Sequence, residues 1–244
     1  MDFFSFPPLA ALLDVAYTGL MGLATLLEPV AGSAAAAAAV VLVTLLVRAV
    51  LIPTGIAQAK AEQTRARLAP KLRDLQKRWA RNPERLQRET MQLYRDERTS
   101  PFAGCLPVLA QAPVVGLLYA VFLHTDIAGH ANALLGEALL GVPLGTSLAG
   151  TLATGTLDVS SGFVFGILVL LIAAVGEVTR RVFRMPHAPD GPSVPSGVLG
   201  ALQFVTAVVA VFVPLAAGLY LLVTVVWTLV QRIVLRRAYP VASS

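Results

Sequence analysis

Arg48 is the residue whose chemistry most needs an account. It stands inside an almost unbroken apolar run, Ala34 to Ile56. About 20 apolar residues suffice to cross a bilayer as a helix. An arginine at the centre of such a helix costs about 2.5–3.5 kcal/mol on insertion scales. Such a cation faces a protein interior or a wet cavity, or it snorkels to the headgroups; Arg48 lies near the end that leads into a basic segment. Thr44, Gln111, Gln203, Thr206, Thr224 and Gln231 are further polar residues within apolar stretches. Each alone has an ordinary use, since such side chains hydrogen-bond between membrane helices for about 0.6 kcal/mol. Together with Arg48 they could line one hydrated, positively charged cavity. Wet polar walls of that kind suit a polar peptide better than a small apolar ligand.

Other chemistries find no support. The chain has no phosphate-cradling glycine loop with a lysine, no HExxH and, with Cys105 its only cysteine, no cysteine pair. His124, His130 and His187 are scattered, so no metal and no other cofactor is expected. Aspartates avoid the centres of the apolar runs and Ser161 lies at a boundary, which leaves an intramembrane hydrolase without its residues. Glu177 beside Arg180 and Arg181 reads as an interfacial ion pair. The expectation is a protein that is not an enzyme.

The elements that would position these residues follow from hydropathy and charge. The sequence is 56% hydrophobic and 14% charged, whereas a soluble domain is nearer a quarter charged, so this is an all-α polytopic membrane protein. Twelve basic residues lie between Lys60 and Arg98; Arg180, Arg181 and Arg184 form a second cluster, and Arg232, Arg236 and Arg237 a third. With Arg48 these are all 19 basic residues, and the positive-inside rule places the three clusters in the cytoplasm. Five transmembrane helices then satisfy every cluster, with the N-terminus outside and the C-terminus cytoplasmic. Residues 1–33 are expected as an external interfacial helix, since Asp14, Gly19 and Gly22 interrupt the apolar stretch and Glu28-Pro29 closes it. The opening Met1-Asp2-Phe3-Phe4 lacks a basic region and does not read as a secretory signal.

The first transmembrane helix is expected over 34–57, kinked by Pro53. A cytoplasmic helical hairpin occupies 58–100: Leu68, Leu72, Leu75 and Trp79 fall on one helix face, Asn82-Pro83 caps a second helix, and Leu86, Leu93 and Tyr94 share a face of it. These apolar faces could pack on each other, on lipid or on a partner. The second transmembrane helix spans 101–124, and 125–161 is external, with a short surface helix expected from Leu134 to Leu144. The third spans 162–183. Residues 184–196 form a cytoplasmic loop with prolines at every third position from Pro186 to Pro195. The fourth and fifth helices lie within 197–236, and 237–244 is a cytoplasmic tail.

Three stretches carry a resemblance to a known family. They are Val47-Arg48 through Ile52-Pro53 with Gln58-Ala59-Lys60; Pro101-Phe102-Ala103-Gly104-Cys105-Leu106-Pro107 with Gln111-Ala112-Pro113; and Pro214 with Gly218-Leu219-Tyr220 and Gln231. In order and spacing the sequence resembles the YidC/Oxa/Alb membrane protein insertases over nearly all of residues 34–237. The resemblance implies five helices around a hydrophilic groove open to the cytoplasm and the lipid, with Arg48 in it attracting acidic residues of an incoming peptide; Thr44, Gln111, Gln203, Thr224 and Gln231, polar residues within the apolar stretches, are expected as its further lining. It implies insertion and folding of newly made membrane proteins without nucleotide hydrolysis, in a bacterial cell membrane. Its partners would be nascent membrane proteins and the bilayer, with the ribosome, the signal recognition machinery and the Sec translocon as further candidates, and no specific nucleic acid. Leu221 departs from the tryptophan of many relatives. A long basic C-terminal tail is also lacking, which makes the hairpin, with Leu68, Leu72, Leu75 and Trp79, the expected contact element. The alternatives are a small-solute or anion transporter using Arg48 as its site, against which the missing internal repeat counts, and an assembly chaperone that does not insert.

The charge placement makes a direct prediction. A thiol introduced by Gln76→Cys in oriented membrane vesicles is labelled by impermeant reagents from the cytoplasmic side alone; labelling from the outside would reject the topology.

Overall fold

The computed structural model describes residues 7–97, 99–100, 106–127, 129–183 and 204–238. The chain is a predominantly helical membrane protein. Its elements are α1 (Pro7–Ala31), a short 3-10 turn (Gly32–Ala34), α2 (Ala35–Val50), α3 (Ile52–Arg78), α4 (Pro83–Asp96), α5 (Leu106–Leu123), strands β1 (Asp126–Ile127), β2 (His130–Ala131), β3 (Ala138–Leu139) and β4 (Val142–Pro143), α6 (Leu148–Ala153), α7 (Val159–Val182), α8 (Val205–Phe212) and α9 (Leu215–Ala238). Three helical stretches among the described residues are long and apolar enough to cross a membrane: Pro8–Val50, Val159–Val182 and Leu215–Ala238. The first holds 43 residues. Straight, it would be about 65 Å long, twice a hydrocarbon core of about 30 Å. The 3-10 turn divides it, and Gly32 there has φ +53°, a conformation that glycine adopts without steric cost.

The chain forms two compact units, residues 1–48 with 114–229 and residues 49–113 with 230–244. In the first, one apolar core joins Leu13 and Leu20 of α1, the alanine face Ala36, Ala37 and Ala39 of α2, Val121 and Phe122 of α5, Phe165 and Leu168 of α7, and Ala216 and Ala217 of α9. Small residues let helix backbones approach closely, which is how helices associate where lipid removes the hydrophobic drive. Gly218 is one such place, since a Cβ there would lie 2.6 Å from Leu168 Cδ2. The outward side of α7 carries exposed Phe163, Ile167, Leu170 and Leu171, as a lipid-facing helix should.

The segment between α5 and α7 is ordered by hydrogen bonds to helix ends. Asn132 donates to the Val121 and His124 carbonyls at 2.7 and 2.8 Å, closing the C-terminus of α5. The amides of Leu215 and Ala216, otherwise unsatisfied at the start of α9, donate to the carbonyls of Thr146 and Leu144 at 2.8 and 3.0 Å. Asp158 caps α7 by accepting from the Ser161 amide at 3.0 Å, and hydrogen bonding to Ser161 holds its carboxyl below the ordinary range. Helix α1 is tied to this segment: His130 Nε2 lies 3.1 Å from Asp14 Oδ1, and the Ala133 amide donates to the Tyr17 hydroxyl.

Two local expectations are corrected. Residues 134–144 are not a helix: a 3-10 turn at Ala133–Leu135 leads into the antiparallel β3–β4 hairpin, with Leu139 paired to Val142. Its two-residue loop has φ 53° at Leu140 and 83° at Gly141. Both values fit the type I′ turn whose sense matches strand twist, although a non-glycine residue in the left-handed region costs about 1–2 kcal/mol. Nor does a helix end near residue 57. The chain breaks at Leu51, whose carbonyl accepts from the Thr54 and Gly55 amides and the Thr54 hydroxyl. Pro53, which has no amide hydrogen, is accommodated in the first turn of α3, which then runs unbroken to Arg78. The Pro-rich loop 184–196, residues 197–203 and the 239–244 tail lie outside the described residues.

The second unit contains the helical hairpin. Asn82 caps α4, its side chain accepting from the Arg85 amide at 3.0 Å with Pro83 in the first turn. The Arg85 guanidinium lies 3.8 Å from the centre of the Trp79 ring, a cation–π contact across the turn. At the far end of α4, Glu97 bonds both Arg67 and Lys71 of α3. The Lys71 hydrogen bond, then the charges of Lys71 and Arg67, hold the Glu97 carboxyl below its ordinary value. A depressed carboxylate stabilises the folded state above its unfolded-state value and loses that contribution as pH falls through its folded value. The α3–α4 pairing should therefore be unaffected by pH from neutrality down to the usual carboxylate range and weaken below it. Protection of the amides across residues 83–96, taken relative to the intrinsic exchange rate at each pH, should fall only at those acid values. Glu97→Gln should make exchange faster at neutral pH and abolish the acid dependence; an acid transition unchanged in that variant would reject the clamp.

Candidate functional site

Arg48 sits one turn from the C-terminal end of α2, with Thr44 a turn before it on the same face. The Arg48 side chain is half-buried in the first unit and pairs with no carboxylate among the described residues. The acidic groups of that unit are used elsewhere or distant in sequence: Asp14 at His130, Asp158 at the α7 cap, and Glu177 at Arg180 and Arg181. Glu177 accepts from Arg180 at 2.7 Å and from Arg181 at 2.6 Å, the local pair that the sequence indicates.

The other polar residues behave differently from one another. Thr44 is 1% exposed and its hydroxyl donates to the Val40 carbonyl at 2.7 Å, so its proton is spent on its own helix. Thr224 does not do this: among the described residues its buried Oγ1 has no hydrogen-bond partner, and neither has Nε1 of Trp227, three residues further along α9. Residues three apart share a helix face, and buried polar atoms without partners are uncommon in folded proteins. Trp227 is a candidate site residue that sequence reading missed. Its only signal is a tryptophan N–H in an apolar run, at i+3 from Thr224. Gln111 lies on α5, but its side chain is outside the described residues, as is all of Gln203.

Gln231 belongs to the second unit, where its amide lies against Gly55 of α3. A Cβ on Gly55 would come within 2.7 Å of Gln231 Cδ and closer still to Nε2. In the same unit Arg236 pairs with Glu62 at 3.1 Å, so two side chains of α9 meet α3. Of the face expected to make contacts, Leu68 is fully buried, while Leu72, Leu75 and Trp79 are half-buried. A groove of about 330 Å³ between α3 and α4 is lined by Leu75 and Leu93 with Lys71, Asp74, Arg78, Glu89 and Asp96.

A mostly apolar helical chain, with Arg48 paired to no carboxylate and with polar atoms of Asn132, Thr224 and Trp227 buried without partners among the described residues, defines a membrane-embedded protein. The sequence matches the 60Kd inner membrane protein family over residues 27–242, and the chain belongs to that family, the YidC/Oxa/Alb group. A membrane protein insertase YidC of Clostridium perfringens is 33% identical over 155 residues, covering 63% of this chain and 64% of that protein. One from Streptomyces avermitilis is 26% identical over 220 residues, 82% of this chain and 51% of that protein. One from Pasteurella multocida is 38% identical over 89 residues, 36% of this chain and 16% of that protein. The chain thus aligns with less than two thirds of the length of each of these relatives.

The Gly55 contact yields a test with a definite sign. Alanine in a helix is favoured over glycine by about 0.5–1 kcal/mol. Gly55→Ala should gain that stability only in a Gln231→Ala background, where the colliding amide is gone. Thermal unfolding of the four proteins in detergent measures the coupling; additive effects would show that the close approach carries no energy.

Proposed function

We propose that this chain is a membrane protein insertase, moving a short polar segment of a client across the bilayer while the client's apolar segment leaves sideways into lipid. The reading is carried by membership of the family over residues 27–242, and it is supported by the unpaired Arg48 in an apolar helix. Its partners are then nascent membrane proteins and the surrounding lipid, with ribosome, targeting machinery and Sec translocon as candidates for delivery. The five spans in this reading are α2, α5, α7, α8 with the residues preceding it, and α9. Helix α1 lies in the outer interface, the α3–α4 hairpin is cytoplasmic, and the C-terminus faces the cytoplasm.

The physical problem is the dry path across an apolar slab of about 30 Å. A hydrated groove reaching part-way shortens it. Arg48 offers a temporary partner to acidic residues of the client, and among the described residues no carboxylate holds its charge. Thr224 Oγ1 and Trp227 Nε1, which lack protein partners, would be satisfied by water or by client backbone in such a groove. Gln111, Gln203 and Gln231 are retained as further lining of it. The hairpin face of Leu68, Leu72, Leu75 and Trp79 is proposed to receive the client or its carrier. Energy comes from burying the client's apolar segment, at about 25 cal/mol per Å², aided by the membrane potential where it drives negative charge outward. No nucleotide is hydrolysed.

Reconstitution into liposomes with matched single-span clients, one acidic and one neutral in the translocated segment, tests this. Hydrogen bonds to charged groups are worth about 1.5–3 kcal/mol. Arg48→Ala should therefore slow the acidic client about tenfold or more and the neutral client within about twofold. Arg48→Lys keeps the charge without the planar fork and should retain much of the activity. Equal, modest losses for both clients would remove Arg48 from the mechanism, and failure of the wild-type protein to insert either client would overturn the function itself.

A further inference from the structure

Leu140 is the only non-glycine residue with positive φ among the described residues, and its side chain is 68% exposed. It holds the first position of a two-residue type I′ loop, where asparagine or aspartate is favoured before glycine. Strained backbone persists where something else gains from it. Here the gain is not internal packing, since the side chain projects from the tip. No basic residue occurs between positions 99 and 179, and the nearest charged residue in sequence is Glu137, before β3.

The surroundings of the hairpin indicate what the side chain meets. Strand β3 packs against the Gly32–Ala34 turn, and so does α1. Leu26 and Val30, in the last turns of α1, are exposed large apolar residues. Just beyond β4, the Leu144 and Thr146 carbonyls accept from the first amides of α9. The hairpin thus stands beside the turn that opens α2 and is tied to the head of α9, both parts of apolar stretches long enough to span. In the proposed topology, on which this inference rests, α1 lies in the outer interface, so that the turn and the head of α9 mark the level at which those helices leave the hydrocarbon. Three dispersed apolar side chains are far short of the total area of about 1,200 Å² that a stable protein interface buries. Acyl chains need no such complementarity.

We propose that the β3–β4 tip is a lipid anchor: Leu140, with Leu26 and Val30 at the end of α1, enters the acyl-chain region of the adjoining leaflet. The anchor holds the hairpin over the helix ends whose amides its base satisfies.

The test uses the full chain in vesicles of phosphatidylcholine and phosphatidylglycerol, with no other protein present. Nitroxide labels are placed singly, by Leu140→Cys or Glu137→Cys in a Cys105→Ser background, and their collision rates with oxygen and with a water-soluble nickel chelate are compared. A leucine-sized apolar group partitions strongly enough that the oxygen-to-nickel ratio at 140 should exceed that at 137 by about tenfold or more. Equal ratios overturn the proposal and leave a protein partner as the remaining reason for the exposed side chain. Because the label replaces Leu140, hydroxyl-radical oxidation of the unmodified protein in the same vesicles provides the second reading. After correction for intrinsic reactivity, Leu140 should be protected relative to the exposed His130, and equal oxidation of the two overturns the anchor.

Discussion

A guanidinium inside an apolar helix is tolerable only where water, a carboxylate or the headgroups can reach it. Arg48 is half-buried, and no carboxylate among the described residues pairs with it. The first unit, to which it belongs, packs helices whose close approach depends on alanine and glycine. In the same unit, polar atoms of Thr224 and Trp227 are buried without partners among the described residues. An interior that leaves a cation unneutralised and donors unsatisfied is poorly designed for stability alone, because each such group carries a desolvation penalty. A site for an acidic, hydrogen-bonding client gives those penalties a purpose, which is the sense of the proposed insertase reading.

Helix interruptions organise the rest. Gly32 divides a helical stretch too long for one crossing, and Leu51 with Pro53 ends α2 just after Arg48. The Leu51 carbonyl collects three donors at that break. Between α5 and α7 the same accounting governs a segment with little regular structure. Asn132 closes one helix, Asp158 opens another, and the Leu144 and Thr146 carbonyls take the first amides of a third.

The second unit is held together by charge as much as by apolar contact. Arg85 covers Trp79 at the turn, Glu97 gathers two cations at the open end, and Glu62 takes Arg236 from α9. Exposed ion pairs of this kind contribute little individually, about 0–1 kcal/mol. Their position at opposite ends of the hairpin sets geometry more than stability.

Hydropathy, charge clustering and short motifs by themselves determined the membrane class, the family, the basic hairpin with its Asn82 cap, and the choice of Arg48. Each of these is a sum over sequence neighbours or a single residue placed against its local background, so no long-range contact is needed to read it. Tertiary structure alone decided that residues 138–143 form a hairpin, because a left-handed Leu140 is contrary to its own preference and is held by strand pairing. It also decided that α3 continues past residue 57, that Gln231 closes on Gly55, and that Glu97 finds Arg67 and Lys71. Thr44 and Thr224 look alike in sequence, yet one bonds its own helix and the other is left unpartnered. Side-chain rotamers and through-space partners separate such cases, and neither is encoded in the spacing of residues along the chain.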